Sequence, residues 1–166
     1  MLNSPTQDLY YTCTEFLKQH PQQRLVLLKQ LGIARYADFL TQMPLTEANI
    51  ICVMRFLSNP SRVKFPNLQE ANLSSLNLDG VNLIRGDLSN ANLSGSSLIN
   101  ADLIFVNFTK ANLSNANLQG ATLNETIWLG ALVEQCNFGT GIGLTYEQRK
   151  DLKVRGARVN AHEYGN

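Results

Sequence analysis

From Pro66 to about Thr140 a large apolar residue, most often leucine, returns at every fifth position. The centres are Leu68, Leu73, Leu78, Leu83, Leu88, Leu93, Leu98, Leu103, Phe108, Leu113, Leu118, Leu123, Trp128, Val133 and Phe138. A small or apolar residue stands two places before each centre, with a polar residue, usually Asn, between them; ANLSN at Ala111 to Asn115 shows the unit. On a helix, five residues at about 100° each rotate successive leucines by roughly 140°, so they form no stripe. On a strand, at about 180° per residue, they alternate between opposite faces. A bend in every unit reconciles the spacing with burial: the centre and the residue two before it point inward, and the other three point out. Four bends close a square coil of about twenty residues, and stacked coils pair their backbones at about 4.8 Å per layer around one apolar column.

These units resemble the A(D/N)LXX unit of the pentapeptide-repeat proteins, a family especially numerous in cyanobacteria. The resemblance implies a mainly β fold, a right-handed quadrilateral β-helix of about four coils. Fifteen centres make about 3.75 coils, and SRVKF from Ser61 to Phe65, with Val63 at its centre, would supply a degenerate sixteenth unit. The column would then stand about 18 Å tall.

A shift in composition near Asn59-Pro60 divides the chain into an N-terminal α-helical domain (1–60), the repeat (61–140), and a capping helix with a tail (141–166). Leu9, Cys13, Phe16 and Leu17 predict one helix, with Ser4 or Thr6 as N-cap and His20-Pro21 as its stop. A second runs from Pro21 to Leu31 with Leu25, Leu28 and Leu31 inward and Gly32 after its end. A short third helix is expected around Tyr36 to Leu40. The fourth, opened by Thr46 and closed before Pro60, places Ile50, Val53, Met54 and Leu57 inward. So short a helical segment makes a marginal core by itself and is expected to cap the open end of the solenoid. After Gly139, GTGIG predicts a flexible exit; its glycines have no following Lys, and no phosphate loop is expected. Thr145 and Gln148 form a capping box that opens a helix from Tyr146 to about Val154. GLTYEQ resembles the LTxEQ endings common in the same family, where such a segment closes the coil. Gly156 to Asn166 is expected to be partly disordered.

The net charge of +1 hides an uneven distribution. Residues 1–65 carry +3, residues 66–140 carry −4 from two basic and six acidic residues, and residues 141–166 carry +2. Cys13, Cys52 and Cys136 are too far apart for a disulfide framework or a zinc motif and read as buried thiols. The start has no basic, apolar leader, and no run reaches the length of a membrane span, so the expectation is a cytoplasmic protein with no membrane insertion. No catalytic, cofactor-binding or metal-binding residues are assigned. The histidines are His20 at a helix end and His162 in the tail, Asp87 and Asp102 read as solvated carboxylates, and a packed column leaves no substrate cavity. The chain is therefore read as not an enzyme and as needing no cofactor.

Function is expected on the outward positions. Ile84 and Ile104 recur one coil apart, with Phe105 beside Ile104 and Ile99 before that corner, and these four form a candidate interaction strip for a partner, a second copy or the chain's own helices. Ile127, Leu129 and Leu132 also break the polar rule and are expected to be covered by the C-terminal segment. The column Leu68, Leu88, Phe108 and Trp128 grows in size and is expected to fill a widening core. Outward Asn residues are expected to form amide ladders or to bond the backbone at corners. The leading reading is a scaffold or protein–protein interaction protein with an unidentified protein partner. The family resemblance also suggests a DNA-mimic inhibitor of DNA gyrase, but at one charge per roughly 1.7 Å an 18 Å mimic wants about ten negative charges. A third reading, nucleic-acid binding through the basic ends, needs Arg24, Lys29, Arg55, Arg62 and Lys64 on one surface.

Overall fold

A corner recurs after every repeat centre in the computed structural model, which describes residues 4–161. Each corner is a β-turn in which the residue three past the centre donates its N–H to the centre's carbonyl, as Ala71 does to Leu68 at 3.1 Å and Ala111 to Phe108 at 2.9 Å. After every centre except Phe138, the residue two past the centre takes a positive φ, glycine at Gly80, Gly95, Gly120 and Gly130 and a side-chain-bearing residue such as Asn90, Asn115 or Phe105 elsewhere. That is the type II pattern. The side chain between the inward pair completes the corner: Asn72 accepts from the Ser74 N–H at 3.2 Å, and Asn112 from Ser114 at 3.0 Å. The outward Asn residues thus serve mainly as corner acceptors, and a contact between stacked side chains, Asn107 to Asp87 at 3.3 Å, is the lesser use.

Parallel bridges join residues twenty apart, from Asn67 with Asp87 to Asn117 with Asn137, so five residues per side and twenty per coil give four sides. All fifteen centres are buried, as are the small slots before them apart from half-buried Leu76. Phe108 and Trp128 stack at 4.6 Å and 12°, Phe138 meets Trp128 edge-on at 5.2 Å, and the Trp128 indole donates to Thr126 at 2.8 Å. The growing column fills the interior, as expected. The mainly β description needs correction. A side holds so few residues between corners that each contributes one isolated bridge, and the helices hold more residues than the bridges do.

The helices are α1 (Pro5–Lys18), α2 (Pro21–Gln30), α3 (Ala37–Leu40) after a 3-10 turn at Ala34–Tyr36, and α4 (Glu47–Leu57). Ser4 and Thr46 accept from the backbone as N-caps of α1 and α4. Gln19 is the C-cap of α1, and His20 caps α2 in a capping box with Gln23. Tyr36, Phe39 and Phe56 pack together with centroids 5.2–5.9 Å apart. Arg24 is buried inside this core, where its guanidinium donates to the carbonyls of Leu17, Gln19, Leu40, Thr41 and Met43. It ties α1, α2 and the loop after α3 together.

SRVKF does not become a sixteenth unit. Pro60–Arg62 forms a 3-10 turn, the Val63 N–H returns to the Pro60 carbonyl at 3.3 Å, and the bridges begin only at Asn67. At the other end, Gly141 donates to Phe138 at 2.9 Å, Leu123 to Ile142 at 2.8 Å, and the Arg149 guanidinium holds the carbonyls of Thr140, Gly141 and Leu144. The exit is pinned rather than free. Helix α5 (Tyr146–Val154) opens with the expected capping box. Beyond it the chain returns to the solenoid: Asn137 bridges Arg158, Asn160 donates to Gly139 at 2.7 Å, and Ala157 and Val159 are buried. Gly156 to Asn160 is thus an ordered added layer, while the expectation for 162–166 lies outside the described residues.

Candidate interaction surfaces

The expected strip comes together only in part. Ile84 and Ile104 are half-buried in one column, followed by Arg85 and Phe105 at the corner. Ile99 belongs to the preceding corner, where its N–H donates to the Asp79 carboxylate at 2.9 Å, so it stands one side away. Phe105 is 48% exposed, and its φ of 60° puts a bulky side chain where glycine is favoured, a cost on the order of 1 kcal/mol or more. The Arg85 guanidinium lies 5.0 Å from the Phe105 ring and 5.7 Å from the Phe65 ring. This cation–π contact of Arg85 with two exposed rings is not legible in the sequence, because the five-residue period places Phe65 inside a repeat unit that does not form.

Ile127, Leu129 and Leu132 are 50%, 72% and 58% exposed. The expectation that the C-terminal segment covers them is wrong: α5 and residues 156–160 pack over the end of the column and leave its outer sides bare. Arg155 of α5 donates to the Trp128 and Ala131 carbonyls, both at 3.0 Å, which seats the helix inside those outward positions.

The basic residues do not share one surface. Arg24 is buried, whereas Arg55, Arg62 and Lys64 line a cavity of about 250 Å³ where the helices meet the solenoid. A neighbouring cavity of about 290 Å³ adds Arg35 and Tyr36 and shares Lys64 and Phe65 with the first.

Acid–base chemistry is muted. Asp87 accepts from Gln69 at 2.7 Å and from the Ser89 N–H at 3.0 Å, and Asp102 accepts from Thr122 at 2.8 Å, so each works as a corner or ladder acceptor. Among the described residues no group of His, Cys, Asp and Glu is arranged to hold a metal ion. Burial pushes the Cys13, Cys52 and Cys136 thiols up from 9.0 to about 12. A thiolate is the nucleophile, so none is activated. The folded chain keeps protons that the unfolded chain releases above pH 9, so stability should be unaffected below that pH and fall between pH 9 and 12. The slope approaches about 1.4 kcal/mol per pH unit for each thiol. Urea unfolding across this window should show the decline, and Cys136→Ala, which installs the residue found in the equivalent slot at Ala116, should remove one thiol's share. An unchanged slope in that variant would count against burial of Cys136.

Residues 66–103 and 87–124 match the sequence profile of the pentapeptide repeats, in eight copies. Residues 66–124 are thus pentapeptide repeats. Members of the family fold as right-handed quadrilateral β-helices. Solved pentapeptide-repeat structures similar to this one include a protein of the Arabidopsis thaliana thylakoid lumen, 23% identical, with a TM-score of 0.46, covering 60% of this chain and 82% of that one. Rfr23 from the cyanobacterium Cyanothece 51142 is 37% identical, with a TM-score of 0.24, covering 39% of this chain and 51% of its own. QnrB1, a plasmid-mediated fluoroquinolone resistance protein, is 14% identical, with a TM-score of 0.36, covering 58% of this chain and 61% of its own. This pentapeptide-repeat chain therefore spans about half the length of Rfr23. No curated protein matches it. Among the described residues no helix is long and apolar enough to cross a membrane.

Proposed function

We propose that this pentapeptide-repeat protein is a non-enzymatic scaffold that receives a protein partner on the outer sides of its solenoid. The observation that carries the reading is the bare apolar group Ile127, Leu129 and Leu132 on the last coil, outside the cover of the C-terminal segment. Interaction surfaces are where contiguous exposed apolar residues are tolerated. Ile84, Ile104 and Phe105 offer a second area, with Ile99 at its margin. The filled interior supports the non-catalytic part of the reading, since Phe108, Trp128 and Phe138 occupy the space a substrate would need. In this reading residues 1–60 cap the N-terminal end, 61–140 present the sides, and 141–166 close the far end. Three unpaired thiols suit a reducing compartment such as the cytoplasm.

The test compares the full chain with Leu129→Ser/Leu132→Ser and with Ile104→Ser/Phe105→Ser, by capture from an extract of the source cells and by mass in solution. Loss of a captured protein, or of self-association, in one variant that still unfolds cooperatively is expected. Identical capture and mass in all three would remove both surfaces from the proposal.

A further inference from the structure

The N-terminal end of the solenoid is covered by helical side chains on three sides, incompletely at Asn67, whose backbone N–H has no hydrogen-bond partner among the described residues, and is left open on the fourth. On the side of Asn67 the Arg55 guanidinium donates to the Gln69 carbonyl at 2.8 Å, and the Cys52 thiol lies 3.7 Å from the Asn67 carbonyl. On the next side the buried Asn49 amide imitates a neighbouring strand, donating to the Asn72 carbonyl at 3.0 Å and accepting from the Asn72 N–H at 2.8 Å. Gln42 does the same for Asn77, at 2.7 and 3.3 Å. Asn82 occupies the corresponding edge of the fourth side. Its side chain accepts from the Ile84 N–H, but among the described residues its backbone N–H and C=O have no hydrogen-bond partner. One coil further on, the equivalent groups of Asp102 are paired with Val81 and Leu83, both at 2.9 Å. The segment that sequence spacing would place beneath Asn82 is diverted by the Pro60–Arg62 turn, and its Val63 carbonyl is taken by Arg35 and by the Tyr36 hydroxyl.

We propose that this open edge is a docking slot for an extended acidic peptide segment of a partner protein, which pairs with the backbone of Asn82 and sets its carboxylates among Arg35, Arg62, Lys64 and Arg85. The proposal rests on the scaffold reading and adds a third surface to it. An unpaired backbone donor and acceptor on a sheet edge is a template for a peptide strand. The surrounding charge selects which peptide. Ion pairs among the described residues occur at Lys18 with Glu15 and at Arg155 with Asp151, so these four cations have no carboxylate partner there. The two cavities, about 250 and 290 Å³, fall below the roughly 300–1,000 Å³ of small-molecule sites and fit single side chains on either side of Lys64 and Phe65. Nucleic acid fits less well, because a longer polyanion leaving the slot would run onto a solenoid of net charge −4.

The probe is a fluorescein-labelled peptide of alternating valine and glutamate, titrated with the full chain and read by anisotropy. Saturable binding is expected, weakened roughly tenfold or more by Arg62→Glu/Lys64→Glu and by raised salt, and lost when alternate peptide nitrogens are methylated. Absence of binding would overturn the proposal, as would equal binding of a valine–lysine peptide or insensitivity to methylation. Stronger, methylation-independent competition by an oligothymidylate would overturn it in favour of a nucleic-acid surface. A partner captured equally by the wild type and by Arg62→Glu/Lys64→Glu, but lost with Leu129→Ser/Leu132→Ser, would remove the slot while leaving the scaffold reading intact.

Discussion

Replacing Phe108 by alanine should lower the free energy of unfolding by about 3–5 kcal/mol, whereas Phe105→Ala, three residues away, should change it by no more than roughly 1 kcal/mol. The difference comes from the direction in which each ring points. Phe108 is a repeat centre, fully buried and stacked on Trp128 at 4.6 Å, so truncation leaves a void inside a closed column whose walls are held by bridges above and below. Phe105 stands at a corner with nearly half its surface in water and a positive φ, so its loss removes a contact with Arg85 while relieving little. Urea denaturation of both variants gives the comparison directly. Equal losses would mean that the five-residue period does not decide which side chains form the core.

Substitution of Arg24 by methionine should be as severe, at about 3–5 kcal/mol, because it leaves carbonyls of five residues without their donor in a low-dielectric core. Burial lowers the pKa of this guanidinium, which is the cost that those carbonyls offset. Arg24→Lys should recover little, since one ammonium cannot span acceptors on α1, α2 and the loop after α3. Thermal unfolding followed by far-ultraviolet circular dichroism reads the effect on the helical part. A variant melting within a degree or two of the wild type would show that water satisfies these carbonyls and that Arg24 is dispensable.

The solenoid was legible in the sequence because two constraints share one period. The turn needs a left-handed residue at every fifth position, and the column needs an apolar one, so even substitutions such as Trp128 or Val133 keep the beat. The helix boundaries were legible where caps announce them, at Ser4, Thr46 and Thr145. What stayed hidden depends on contacts between distant segments. Asn49 and Gln42 look like surface amides until the edges of Asn72 and Asn77 are brought against them. Arg24 breaks the expectation that charge stays outside, and only the carbonyls gathered around it explain why. SRVKF carries an apolar centre at Val63, yet Pro60 commits the backbone to a tight turn before a fourth side can form. The bareness of Ile127, Leu129 and Leu132 could not be read either, because the position of α5 is set by Arg155, Gln148 and Leu152 rather than by those outward residues.

Disulfide trapping tests the stacking itself. Asn92 and Asn112 bridge across adjacent coils, which sets their backbones about 4.8 Å apart, within the range a disulfide spans, and the native cysteines are buried. Under mild oxidation Asn92→Cys/Asn112→Cys should form an intramolecular disulfide in nearly every molecule, whereas Asn92→Cys/Asp102→Cys, half a coil apart and on opposite sides, should remain reduced. Efficient trapping of the second pair, or none of the first, would contradict a coil of twenty residues.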